Sequence, residues 1–256
     1  MAEAKSIQSV NHALDIIEYL YHVGKESSIR EISEGTGMFG STIHRQLATL
    51  KERGYIYQNP TTLKYWLGLR FYAIGNQVKH NLPILGIVGT AAEQLGKKYG
   101  LNVFIAVPNY SSDFCALQAI IFRKDFSAML PRNEVTVGTV LASHGSATGK
   151  CMMAYYPDSL IQQYRSTPLV KMTDKTITDW DALIAELATI RTRGYALDAE
   201  EEEIGKTCIA VPVLDSFNNI VASLSLSGQT KNIFENPINA LVKDLNEVAA
   251  MISSKI

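Results

Sequence analysis

Along the first third of the chain the apolar residues fall at helical spacing. Within residues 7–23, Val10, Leu14, Ile17 and Leu20 make one stripe, which predicts an amphipathic first helix capped by Ser9 or Asn11. In residues 29–54, Ile29 and Ile32 stand three apart, Gly35 and Gly37 interrupt, and Ile43, Leu47 and Leu50 recur at i, i+4 and i+7. That pattern predicts a helix, a tight turn and a second helix with one buried face. After Gly54 the period changes. Residues 55–58 and 65–67 are short β-prone runs on either side of Asn59-Pro60, a turn dipeptide. A hairpin placed directly behind a helix-turn-helix is a wing, so residues 1–68 are expected to form a winged helix-turn-helix domain.

The remainder reads as a linker and a second domain. Residues 69–78 show a further amphipathic pattern, and Asn81-Leu82-Pro83 breaks it; residues 69–82 are therefore expected as a linker helix and 83–256 as a separate domain. Residues 84–99 read as a helix ended by Gly100. Residues 101–107 and 114–121 read as strands around a turn at 108–113. A later strand pair, 208–215 and 220–228, is joined by a turn at 216–219, and its second member alternates with serines on one face. Helices are expected at 146–156, 180–193 and 237–252. Strands with helices segregated around them predict an α+β domain. The charge run Glu200 to Glu203 reads as a solvated loop.

The exposed side of the second helix is the first candidate site. Ser41, Thr42, His44 and Arg45 gather at its start, where a recognition helix meets base edges and phosphates in the major groove. Arg45 is the natural partner for a guanine edge or a phosphate. Thr61, Thr62 and Lys64 belong to the wing, with Lys64 the phosphate candidate. On these residues alone, a helical hairpin with a solvated polar face explains the pattern equally well.

Composition narrows the classes. Apolar residues make up 46% of the chain, which supports real cores and excludes a disordered one. A net charge of −1 argues against a nonspecific nucleic-acid coat, while residues 1–80 carry nine Lys/Arg against seven Asp/Glu. Cys115, Cys151 and Cys208 are scattered with no CxxC spacing, so neither a disulfide framework nor a zinc knuckle is indicated. The N-terminus lacks an apolar signal core, and no run approaches the roughly 18 apolar residues of a membrane helix. A soluble, cytoplasmic protein without cofactor is expected.

Several segments together resemble one family: REISEGTGMFGSTIHRQLATLKERGYI, KYWLGLR, LASHGSATGKCMMAY, RGYALDAEEEEIGKTCIAVPVLD and ASLSLSG, in order over nearly the whole length. The chain is similar to the IclR-type transcriptional regulators. The resemblance implies a winged helix-turn-helix, a linker helix and a GAF-like α/β effector-binding domain with an antiparallel sheet. It implies homodimers formed through the DNA-binding domain, often paired into tetramers, on double-stranded DNA with a palindromic operator, and a small carboxylate effector. The implied effector residues are Ala147, Thr148, Asp198, Cys208, Ser225 and Ser227. Backbone N–H groups entering the helix before Gly149 would face the anion. Each of these residues also has a structural explanation: small residues for helix packing, serines on a solvated strand face, a buried thiol, an aspartate binding loop backbone. Two departures stand out. The wing has Pro60-Thr61-Thr62-Leu63 where an acidic residue and a glycine are usual. Leu141-Ala142-Ser143-His144 replaces a proline-leucine-histidine entry to the effector-domain helix.

Two other classes stay open on the sequence. One is an enzyme with Cys208 as nucleophile and His144 as base, without a catalytic motif around either. The other is a metabolite or metal sensor acting through protein partners, with His144 and Cys208 as two ligands of an incomplete zinc set.

Overall fold

The computed structural model describes residues 6–80, 83–108, 116–117 and 141–256, and the chain divides into two compact units, Met1–Leu82 and Pro83–Ile256. The first unit contains α1 (Gln8–Val23), α2 (Ile29–Thr36), α3 (Gly40–Glu52), β1 (Ile56–Gln58), β2 (Tyr65–Leu67) and α4 (Arg70–His80). Its core is Ile16, Leu20, Ile32, Met38, Ile43, Leu47, Leu50, Ile56 and Tyr65.

The stripe expected on α1 is displaced by part of a turn. Ile16 and Leu20 are buried, whereas Val10 and Leu14 are 51% and 48% exposed. The helix has two apolar faces, and only one meets this domain's core. Neither Ser9 nor Asn11 caps it. Extended Ile7 occupies the cap without a side-chain bond, and Asn11 reaches back to Ser6 Oγ instead. On α2 a reciprocal cap does form: Ser28 Oγ accepts from the Glu31 amide, and the Glu31 carboxylate accepts from the Ser28 amide at 2.7 Å. Gly35 does not punctuate. It lies inside α2, where a Cβ would stand 2.0 Å from the Tyr19 ring, so α1 and α2 touch at a point only glycine permits. The turn is made by Gly37 alone, in the left-handed conformation with φ +70°. The wing is an antiparallel pair in which Ile56 faces Leu67 and Gln58 faces Tyr65.

The second unit is built on a four-stranded antiparallel sheet in the order β3-β8-β7-β6, from β3 (Asn102–Ala106), β6 (Ala196–Ala199), β7 (Lys206–Leu214) and β8 (Ile220–Gln229). A separate two-stranded pair joins β4 (Ala116–Leu117) to β5 (Leu141–Ala142). The helices are α5 (Pro83–Tyr99), α6 (Ala147–Ala154), α7 (Asp158–Tyr164), α8 (Trp180–Arg193), α9 (Thr230–Phe234) and α10 (Ile238–Ser253). One face of the sheet, with Phe104, Ala106, Ala196, Cys208 and Ala210, packs on α6, and α8 lies beyond α6. The alternate residues Ile209, Val211, Leu224 and Leu226 are buried on the opposite face, where α10 runs against β7 and β8.

β5, β6, α7 and α9 are too short to show a period in the sequence. Of the strand expected at 114–121 only Ala116–Leu117 is described; Cys115, the rest of that strand and the turn beyond Pro108 lie outside the described residues. The Glu200 to Glu203 run is not a freely solvated loop: Glu201 is buried and Glu200 and Glu202 are partly so.

Candidate functional site

In the first unit, burial of Ile43, Leu47 and Leu50 fixes the rotation of α3 and leaves Ser41, His44 and Arg45 exposed, with Thr42 half-buried. Phe39 caps the helix in extended conformation, its carbonyl accepting from the Thr42 amide at 2.9 Å and the Ile43 amide at 3.1 Å. Its ring is 83% exposed and belongs to no core. The wing is tied to the helix by Lys51 Nζ, which donates to Gln58 Oε1 at 2.8 Å. Lys64 is not a free cation on the wing, since its Nζ lies 3.3 Å from Glu31. Donors from the Ser28 amide and hydroxyl, with Lys64, hold the Glu31 carboxyl down to about 2. Phe39 and the Lys51–Gln58 tie carried no sequence signal, because neither follows from helical or strand period.

In the second unit, strand register does most of the assembly. Asp198 pairs with Cys208, Cys208 with Ser227, and Ser227 with Asn102, a single row across four strands. Cross-strand partners point to the same face. Ser225, two residues before Ser227, faces the same way between Phe104 and Ala210. The N-terminal end of α6 stands on this face: Ser223 Oγ donates to the Thr148 carbonyl at 3.1 Å, and Ala147 and Thr148 are buried. The approach depends on Gly149, where a Cβ would lie 2.4 Å from the Ser143 backbone. Asp198, Cys208, Ser225 and Ser227 thus share one sheet face with the helix entry that carries Ala147 and Thr148. The three serines of β8 are not a solvated face, since Ser223 and Ser225 are fully buried. The Gly149 amide is used in capping α6, donating to Ser146 Oγ.

Behind the row lie charges that the sequence did not flag. Lys150 is 1% exposed; its Nζ donates to the Leu197 carbonyl at 2.7 Å and to Glu201 Oε1 at 2.5 Å. The Glu201 amide in turn donates to Asp198 Oδ1 at 2.7 Å. Burial, reinforced by the Glu201 and Glu202 charges, raises the Asp198 carboxyl to about 7, against the opposing pull of the Glu201 amide and Lys150. Burial also pushes the Glu201 carboxyl up, and among the described residues its Oε2 has no hydrogen-bond partner. A strap over residues 170–176 ties both ends of the site together. His144 Nε2 lies 2.8 Å from the Val170 carbonyl, and Thr176 Oγ1 donates to the Glu201 carbonyl at 2.6 Å.

The enzyme class finds no support here. Burial pushes the Cys208 thiol up, as does the nearby Asp198 charge, which keeps it from being a ready thiolate. His144 is engaged with Val170. Among the described residues no three His, Cys, Asp or Glu side chains gather as a metal-ligand set.

Comparison with known proteins agrees with this division of labour. The "IclR helix-turn-helix domain" matches residues 9–60, and the domain described as "Bacterial transcriptional regulator IclR C-terminal" matches residues 77–254. The DNA-binding transcriptional repressor YiaJ of Escherichia coli K12 is 31% identical over 97% of this chain and 88% of its own length. The structure of an IclR regulator from Alicyclobacillus acidocaldarius superposes with a TM-score of 0.80 at 25% identity, covering 97% of this chain and 98% of that one. An IclR homologue from Microbacterium hydrocarbonoxydans, solved with 4-hydroxybenzoate, shares the fold at a TM-score of 0.80 and 20% identity, over 96% of this chain and 98% of its own. With both domains matched in order and a relative aligned end to end, the chain belongs to the IclR family and is a DNA-binding transcriptional regulator rather than an enzyme.

Proposed function

We propose that the chain is a repressor that binds a palindromic operator as a homodimer, or as a pair of dimers, and whose hold on DNA changes when a small carboxylate occupies the second unit. The observation that carries the effector reading is the row Asp198–Cys208–Ser227, with Ser225 beside it and the start of α6 above it. Hydroxyls, a thiol and a carboxyl near neutrality offer donors to an anion, and the Ala147 and Thr148 backbone sits at the positive end of a helix. The relative solved with 4-hydroxybenzoate supports a small carboxylate as ligand of this fold, and YiaJ, named a repressor, supports the direction of control.

On the DNA side, residues 1–68 dock, with Ser41, Thr42, His44 and Arg45 in the major groove and Lys64 near a phosphate once it leaves Glu31. Residues 69–82 link the docking and sensing domains. Dimerisation is supported by the second apolar face of α1, where Ile7, Val10, Leu14 and Tyr21 are exposed at alternating three- and four-residue or seven-residue steps. A two-fold dimer presents two recognition helices to successive major grooves, hence the palindrome. No helix among the described residues is long and apolar enough to cross a membrane, and the regulator acts in the cytoplasm, where its operator lies.

A thermal-shift screen against small carboxylic, sugar and aromatic acids tests the effector reading. A ligand at about 100 times its Kd adds roughly 2.7 kcal/mol to stability. The hit should disappear in Ser225→Ala and should alter operator affinity by the factor by which operator alters its own binding. An acid that binds equally well with and without operator DNA would contradict the mechanism.

A further inference from the structure

The polar row across the sheet of the second unit ends on β3 in a residue that the packing does not explain. Asn102 stands directly opposite Ser227, so the row runs Asp198–Cys208–Ser227–Asn102. Opposed residues of neighbouring strands send their side chains to one face. Asparagine is depleted in strands. The residues that follow it, Val103, Phe104 and Ile105, are the β-branched and aromatic types that a strand favours. Strand formation alone does not ask for an amide at position 102.

Three other polar side chains of this face are engaged within the protein. Ser223 Oγ donates to the Thr148 carbonyl, Ser225 Oγ donates to the Phe104 carbonyl at 3.5 Å, and Asp198 Oδ1 accepts from the Glu201 amide. The Asn102 carboxamide has no partner among the described residues, and the residue is half-buried. Exposure is graded along the row: Asp198 is buried, while Ser227 and Asn102 are each only partly covered. Phe104 stands opposite Ser225 and two residues from Asn102, half-buried against the apolar cluster around α6. Asn102 is thus the diagonal neighbour of Ser225, about 7–8 Å from it.

We propose that Asn102 is a specificity-determining residue of the effector site: its carboxamide reads a hydrogen-bonding group at the far end of the acid, while the carboxylate sits at the start of α6 beside Ser225. The separation selects acids that carry a hydroxyl or carbonyl oxygen several carbons from the carboxylate, and passes over two- and three-carbon acids. An amide both donates and accepts, so it serves either group. It also disfavours an acid with an apolar far end, which would cover the amide without pairing it. Phe104 supplies an apolar wall for the carbons in between. This assignment rests on the effector reading above.

The test titrates the full-length protein by calorimetry with matched pairs of acids that differ only at the far end. The first pairs are 6-hydroxyhexanoate against hexanoate and 4-hydroxybenzoate against benzoate, and any further hit of the thermal-shift screen is paired with its analogue in the same way. Wild type, Asn102→Ala, Asn102→Thr and Ser225→Ala are compared. Wild type should favour the polar-ended member of a pair by about tenfold in Kd, the effect of one hydrogen bond. Asn102→Ala and Asn102→Thr should keep the wild-type melting temperature and erase that preference by weakening the polar-ended member alone. Ser225→Ala should weaken both members alike and leave the preference in place. A preference that survives both Asn102 variants, or hits confined to two- and three-carbon acids, would overturn the assignment while leaving the effector reading intact. So would equal weakening of both members in the Asn102 variants, the mark of a purely structural residue, or a wild type that does not distinguish them. Binding of no acid in the pairs or the wider screen would overturn both readings.

Discussion

Lys150 and Glu201 form an ion pair of 2.5 Å with the lysine side chain 1% and the glutamate side chain 11% exposed to solvent. Neither charge is solvated, and each depends on the other. Lys150→Met should therefore leave a buried carboxylate without its cation and destabilise the second unit by about 3–5 kcal/mol. The double change Lys150→Met with Glu201→Leu should recover much of that loss, because two apolar groups replace both charges. Urea unfolding of the two variants beside wild type checks this; equal losses in the single and double variants would mean that lost packing, not the stranded charge, is responsible.

The Asp198 carboxyl predicts how stability follows pH. Its folded value of about 7 lies above its ordinary 3.8, so the folded chain holds the proton more tightly than the unfolded one. Its contribution is complete below about pH 4 and is lost as pH climbs to about 7, at up to roughly 1.4 kcal/mol per unit. Melting of the second unit should fall from pH 5 to pH 8, and Asp198→Asn should flatten the profile while the raised Glu201 carboxyl leaves a residual slope. Anionic effectors should bind more weakly above pH 7, where Asp198 becomes charged. Melting curves and titrations across that range are sufficient, and a profile unchanged by Asp198→Asn would assign the pH dependence elsewhere.

Leu14→Glu separates the two faces of α1. The core residues Ile16 and Leu20 are untouched, so the domain should fold with little change. A charge placed in the exposed seam should shift the protein toward monomer in sedimentation velocity. Binding to a full palindrome should fall much further than binding to a half-site. A variant that remains dimeric would move the interface to another surface; α4, with Tyr72, Ile74 and Val78 exposed, is the next to try.

How much of this was readable from the residues differs between units. The buried face of α3 followed from period alone, since Ile43, Leu47 and Leu50 have a single face to bury, whereas the wing strands followed from β-prone runs on either side of Asn59-Pro60. On α1 period was ambiguous, because apolar residues line two faces and only packing distinguishes Ile16 from Val10. Gly35 looked like a breaker and is a contact, since its role depends on Tyr19 from another helix. In the second unit the β7–β8 hairpin was legible from its alternation and turn. β6 was not, because four residues are too few to establish a period.

The candidate sites show the same limit. The serine face of β8 was visible as a pattern, but its burial required α6 to be laid over it. Lys150 and Glu201 were invisible as partners, since they are 51 residues apart and each sits in a stretch with a simpler local explanation. Lys64 illustrates the converse: its position in the sequence suggested a free cation, and Glu31 engages it.

The alternation of β8 also makes the sheet proofread its own assembly. Ser223, Ser225 and Ser227 point toward α6, and Leu224 and Leu226 toward α10. Sliding the strand by one residue would exchange these sets, filling the polar row with leucines and driving hydroxyls into an apolar layer. Each stranded hydroxyl would cost about 1–3 kcal/mol. A misthreaded copy is thus penalised on both sides of the sheet at once, and the copies that survive folding are those whose row of serine, thiol and carboxyl is already in line.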